Sequence, residues 1–265
     1  MKQSDEADFE QHFSEPPTPR TRPLRSRKTA LLIAQRIVDE ITAKNLAPGA
    51  MLPAEKDMLA SYSVGRGTLR ESLRFLEMNG VITIKPGPGG GPTVCDPDFR
   101  DLAGSLGLFL QLHGTPFRSI VEVRQTMEPA IAALAATKVK PAHLARLLKS
   151  VEDMEEHIDD EERFLTENEN FHELVAWASG NQMFALLISS LHWITDGAFL
   201  GVDYPQRRRS AVIAAHRQIY EALASGDPEL AHSTMERHVS EFARYLERYY
   251  PTVFDSPMRW SDIAR

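Results

Sequence analysis

The chain has 265 residues, a formal net charge of −7 and one cysteine, Cys95. This length allows two domains of ordinary size, and one cysteine excludes both an internal disulfide framework and a cysteine-rich zinc site. No segment approaches the roughly 20 apolar residues of a transmembrane helix, and the acidic N-terminus lacks the basic start and apolar run of a signal peptide. The sequence therefore predicts a cytoplasmic protein without membrane association.

The net charge hides an uneven distribution along the chain. Residues 20–95 contain 12 Lys and Arg against 6 Asp and Glu, whereas residues 96–265 contain 17 against 26. Positive charge concentrated in one segment is typical of nucleic-acid binding. Residues 1–27 are polar, contain proline and lack helical periodicity, which predicts a disordered tail.

Residues 51–94 have the order helix, turn, helix, hairpin. Met58 and Tyr62 on the first helix face the leucines of the second, and Gly65 lies in the turn, where a close helix crossing or a positive φ is expected. Asn79 and Gly80 end the second helix, since glycine commonly follows the last helical residue. This order predicts a helix-turn-helix.

The second helix has the features of a DNA-recognition helix. Arg66, Arg70 and Arg74 follow a helical spacing different from that of the leucines and therefore face outward. Arginine presents a planar fork of donors that matches guanine O6 and N7 or a phosphate. The β-type runs around the tip KPGPGGGP predict a wing in which Lys85 approaches the sugar-phosphate chain.

From residue 96 onward, long amphipathic segments alternate with helix-breaking glycines and prolines, and no strand pattern is evident. The predicted fold is therefore mostly α. A winged helix-turn-helix of three helices and a small β-hairpin occupies residues 28–95, and an all-α bundle of six or seven helices occupies residues 96–250. Residues 251–265 are predicted to be a C-terminal tail.

Three histidines of the bundle fall on apolar helical faces. His216 shares a face with Ile219, His238 shares one with Phe242, and His172 lies on a third helix. A single buried histidine is usually a hydrogen-bonded core residue. Three that face one interior are good ligands for a divalent metal such as zinc or nickel. Whether His192 is a core residue or a ligand is ambiguous from the sequence. No role is assigned to the remaining histidines: His12, His113, His143, His157 and His232.

The N-terminal domain resembles the DNA-binding domain of the GntR family of bacterial transcription regulators. Within residues 28–94 it shares these pattern residues: Leu52, Pro53, Glu55, Gly65, Arg66, Thr68, Arg70 and Glu71. The resemblance implies base or phosphate contacts by Arg66 and Arg70. It implies backbone contacts by Lys56 and Thr68 and places the wing tip at Gly87. Family members read inverted repeats as homodimers, which implies the same assembly and a double-stranded operator here.

Residues 98–250 resemble the FCD domain of the FadR-type branch of that family, in which an Asp and three His bind a metal beneath an effector cavity. The shared pattern residues are Phe171, His172, Ser179, Gly180, Asn181, His216, Ile219 and His238. The resemblance implies a metal at His172, His216 and His238. Asn168 stands where the family usually has Asp; its amide oxygen can coordinate but brings no charge, which lowers the expected affinity.

Arg124 allows two interpretations. It lies in the buried stripe of the helix after Pro116, where Glu128 at i+4 permits an internal ion pair. The family resemblance implies instead that Arg124 receives the carboxylate of a small organic acid whose other oxygens reach the metal.

The sequence thus predicts a DNA-binding transcription regulator, by analogy a repressor, that is controlled by a small organic acid and is not an enzyme. One alternative is a metal-responsive regulator without an organic effector. A less favoured one is a metal-dependent hydrolase, because three imidazoles and an open metal position can activate water, although no convincing general base is evident.

Overall fold

The computed structural model describes residues 25–87, 89–195 and 201–263. Most of the predicted N-terminal tail lies outside these ranges, and its last three residues already belong to the first helix, α1 (Arg25–Ala43). The chain divides into two units, Met1–Asp96 and Pro97–Arg265.

The described residues of the first unit form three helices and a hairpin, which confirms the predicted winged helix-turn-helix architecture. After α1 come α2 (Glu55–Tyr62), α3 (Arg66–Met78), β1 (Ile82–Lys85) and β2 (Gly91–Val94). The two strands are antiparallel, with Ile82 opposite Val94 and Lys85 opposite Gly91. Buried residues from all three helices form the core, and they include Ile37, Met58 and Leu69.

The turn between α2 and α3 differs from the prediction. The left-handed residue is Ser63, with φ 53°, whereas Gly65 has φ −76° and lies at the N-cap of α3. A Cβ added to Gly65 would meet no atom within 4 Å, so neither a positive φ nor close packing requires glycine there. Glycine is required in the wing, where a Cβ on Gly90 would lie 2.2 Å from the Lys85 carbonyl oxygen.

The described residues of the second unit form helices and no strand. Its long helices are α4 (Phe99–Leu112), α5 (Phe117–Ala136), α6 (Pro141–Glu156), α7 (Glu161–Ala178), α8 (Gln182–Thr195), α9 (Gln206–Ser225) and α10 (Pro228–Tyr249). These seven helices in the described part of the chain confirm the predicted bundle. None of them is both long and apolar enough to cross a membrane.

The segment after α10 differs from the predicted tail. It forms a short helix, α11 (Pro251–Asp255), and a 3-10 turn at Trp260–Asp262. Phe254 and Ile263 are buried in the core of the second unit, and the Phe117 amide donates a hydrogen bond to the Ser256 carbonyl. The apolar residues that anchor this segment are isolated and do not recur with a helical period, so the sequence pattern did not predict that the segment is packed.

Candidate functional site

Three helices of the second unit direct histidines to one point. His172 on α7, His216 on α9 and His238 on α10 are all buried. The Nε2 atom of His238 lies 3.3 Å from Nε2 of His216 and 3.2 Å from Nε2 of His172. The structure therefore brings together the three histidines that the sequence singled out.

This cluster fits a divalent metal. Zn–N bonds of about 2.0–2.1 Å in a tetrahedral site place ligand nitrogens about 3.3–3.4 Å apart, close to the two spacings found here. Burial, followed by the charge of neighbouring histidines, lowers the pKa of both His216 and His238 well below the usual value. Both rings are therefore neutral at physiological pH, which is the form that ligates a metal.

A buried carboxylate supports His172 from behind. Oε2 of Glu128 lies 2.5 Å from Nδ1 of His172, and its Oε1 lies 2.6 Å from Nε of Arg124 and 3.3 Å from Nε2 of His192. Burial alone raises the pKa of Glu128, but Arg124 and the two histidines outweigh it and hold the pKa well below its usual value. A carboxylate at Nδ1 keeps the proton there and leaves the Nε2 lone pair of His172 for a ligand.

His192, left ambiguous by the sequence, belongs to this supporting layer. Its ring centroid lies 4.3 Å from that of His172. Burial, with a contribution from the nearby charge of Arg124, lowers the pKa of His192 to about 3, so the ring is neutral. No sequence signal identifies the contact between Glu128 and His172, because it joins two helices that lie far apart in the chain.

Arg124 makes the internal pair that its spacing to Glu128 permits. It is 6% exposed, donates from Nη1 to the Thr195 hydroxyl at 2.9 Å, and lies over the Phe242 ring with its Cζ 5.3 Å from the centroid. A guanidinium has five N–H donors, so these contacts leave donors for a ligand. The internal pair and an effector contact are therefore compatible.

A small cavity lies beside the histidine cluster. Its polar lining includes Arg124, Asn168, His172, Thr195, Arg208 and His238. Asn168 is half-buried, one helical turn before His172. Arg208 was not predicted to belong to the site, although its spacing to Val212 and His216 puts it on the same face of α9.

The predicted DNA contacts lie on the surface of the first unit. Lys56, Arg66, Arg70 and Lys85 are exposed, and Thr68 is half-buried in the first turn of α3. Arg70 makes a surface ion pair with Glu55, with 3.2 Å between Nε and Oε1. Gly87 lies between the two strands with φ 95°, a left-handed conformation that suits a wing tip.

Comparison with known proteins gives a family match for each unit. Residues 29–90 match the family described as bacterial regulatory proteins, gntR family, and residues 119–241 match the FCD domain. The chain is 31% identical over 217 residues to the uncharacterized HTH-type transcriptional regulator YcbG of Bacillus subtilis (strain 168), an alignment that covers 81% of this chain and 88% of that protein.

Another relative is the HTH-type transcriptional repressor NanR of Citrobacter rodentium (strain ICC168), 25% identical over 225 residues, or 83% of this chain and 86% of NanR. Among solved structures, Streptococcus agalactiae GntR superposes with a TM-score of 0.64 at 25% identity. That superposition covers 82% of this chain and 99% of the other.

Proposed function

The chain belongs to the GntR family of bacterial regulatory proteins and carries an FCD domain, and from this premise we propose that a small organic acid, bound beside a divalent metal, controls its binding to DNA. The observation that supports the proposal is the convergence of three imidazole Nε2 atoms beside a cavity that Arg124 also lines. Like its relatives named NanR, the protein would act as a repressor, and it would do so in the cytoplasm.

In this proposal each side chain has a defined task. His172, His216 and His238 would hold the metal, with Asn168 as a weak fourth ligand, and the metal would supply positive charge to the oxygens of an acid. Arg124 would donate its remaining N–H groups to a carboxylate, in a site where little water competes.

Control of DNA binding requires a difference in affinity. The acid must bind one arrangement of the two DNA-binding domains more tightly than the other, because a ligand with equal affinity for both shifts nothing. A coupling free energy of about 1–3 kcal/mol is the usual size.

The effector contact is tested by replacing Arg124 with Gln. We expect the variant to bind zinc as the parent does but to lose the increase in Tm that small organic acids give the zinc-loaded parent, because a ligand of the native state raises its stability. Arg146→Gln is the matched control, since Arg146 is an exposed arginine of the same unit.

An unchanged response of the Arg124→Gln variant to every acid would contradict the assignment. If no acid raises the Tm of the zinc-loaded parent, while zinc alone changes its operator affinity, the protein is a metal-responsive regulator without an organic effector.

We also expect a homodimer that binds an inverted repeat, because one winged helix contacts too little DNA for a long, selective site. Helix α4 offers a surface for pairing: Phe109 is 61% exposed and Leu112 is 72% exposed. Replacing both with Asp should shift the sedimentation coefficient at micromolar concentration from that of a dimer to that of a monomer.

Leu230→Asp, which charges an exposed leucine on α10, should leave the dimer intact. A parent protein that sediments as a monomer both with and without DNA would refute the assembly.

A further inference from the structure

Arg208 is a second arginine at the cavity, and the proposed function gives it no task. Its Nε atom is buried and has no hydrogen-bond partner among the described residues. Its guanidinium Cζ lies 4.7 Å from the centroid of the Tyr245 ring, and no described carboxylate pairs with it. A buried donor without a partner costs free energy, so this N–H group is suited to donate a hydrogen bond to a bound ligand.

Arg124 on α5 and Arg208 on α9 both pack against one face of α10. His238, Phe242 and Tyr245 are spaced by four and three residues, so they lie on successive turns of the same face. Arg124 lies over Phe242 and Arg208 lies over Tyr245. The metal cluster and the two guanidinium groups therefore form a row along this helix.

With a divalent metal bound, the net charge around the cavity would match a ligand that carries two negative charges. Among the described residues around the cavity, the two positive charges of Arg124 and Arg208 equal in number the two carboxylates, that of Glu169 in the lining and that of Glu128, which pairs with Arg124. A divalent metal at the histidine cluster would then leave two uncompensated positive charges. A ligand with two carboxylates would neutralise the site, whereas one with a single carboxylate would not.

We propose that Arg208 binds a second carboxylate and that the effector is a short dicarboxylate. This inference rests on the proposed function, in which the metal and Arg124 take the first carboxylate. Two separated carboxylates match the row of positive groups along α10, and the small size of the cavity favours a short chain between them. Arg208 would thus determine specificity, because a monocarboxylate leaves its buried Nε without a partner.

The test compares acids of equal length on the zinc-loaded, full-length protein. Succinate and glutarate are titrated by calorimetry beside butyrate and valerate, in which a methyl group replaces one carboxylate. We expect the parent to bind a dicarboxylate about 10- to 100-fold more tightly than its monocarboxylate partner, the usual value of a hydrogen bond to a charged group.

The same titrations on Arg208→Gln should remove this preference and leave monocarboxylate affinity nearly unchanged. Arg207→Gln removes the same charge from the exposed neighbouring position and should retain the preference. Arg208→Lys keeps the charge without the planar fork and should retain part of it. The Tm of each variant without ligand shows whether it is folded.

Equal binding of both classes by the parent, or an unchanged preference in Arg208→Gln, would overturn the role of Arg208 and leave the proposed function in place. If Arg208→Gln weakens both classes equally, the residue is a general anion contact and the dicarboxylate proposal fails. If none of the four acids binds the zinc-loaded parent, the dicarboxylate proposal also fails, and the wider acid panel of the Arg124 experiment decides the proposed function separately.

Discussion

Replacing both His216 and His238 with Ala is expected to abolish stoichiometric metal binding. Of the converging Nε2 atoms only that of His172 would remain, and one imidazole does not hold a divalent metal in competition with water. The measurement is elemental analysis after zinc loading and dialysis. The double variant should still bind operator DNA, because its DNA-binding unit is untouched. It should no longer respond to the effector, because the metal that binds the acid is lost.

His232→Ala is the matched control, since His232 lies on α10 outside the cluster and should not affect zinc content. Asn168→Asp should tighten zinc binding, because it supplies a charged oxygen ligand. If the double variant retains stoichiometric metal and a full effector response, the three histidines are core residues and the effector site lies elsewhere.

Replacing Arg66 with Ala is expected to weaken operator binding by about 1–3 kcal/mol, a factor of about 5 to 150 in Kd, if this arginine reads a base. The side chain is exposed in the first turn of α3 and has no ion-pair partner among the described residues. Arg70→Ala should cost less, because Arg70 must first give up Glu55, and an exposed pair is worth about 0–1 kcal/mol. Fluorescence anisotropy on a labelled operator measures both.

Lys85→Ala, in the wing, should weaken binding to all sequences alike and reduce the slope of log Kd against log salt by about one. Arg237→Ala removes one positive charge from an exposed site in the second unit and serves as the charge control. An Arg66→Ala protein with the operator affinity of the parent would show that α3 does not read bases through this residue.

Helical periodicity was sufficient to predict most of the fold and the convergence of the three histidines. His216 and His238 lie in the middle of apolar stripes, and a ring in such a stripe must face the core. The glycines and prolines between helices marked the limits of the bundle, and the change from helical to alternating pattern after Gly80 marked the wing. These signals involve residues that are close together along the chain, so they can be recognised in a single sequence without knowledge of the fold.

The parts that could not be predicted depend on contacts between distant segments. Glu128 was recognised only as the partner of Arg124, because nothing in its sequence neighbourhood shows that it also contacts His172 on another helix. The segment that carries Phe254 packs against the bundle through isolated apolar residues, which have no period to detect. The spacing between Arg208 and His216 on α9 indicated that both lie on the same helical face, but the charge of Arg208 favoured an exposed position.

Control of DNA binding by an acid at the metal and Arg124 is tested most directly by operator affinity with and without the acid that gives the zinc-loaded protein its largest increase in Tm. We predict that saturating acid changes the Kd of the parent by a factor of about 5 to 150 and that of the His216→Ala, His238→Ala variant not at all. An acid that saturates the protein without changing operator affinity, or that changes it equally in the parent and the variant, would contradict the account.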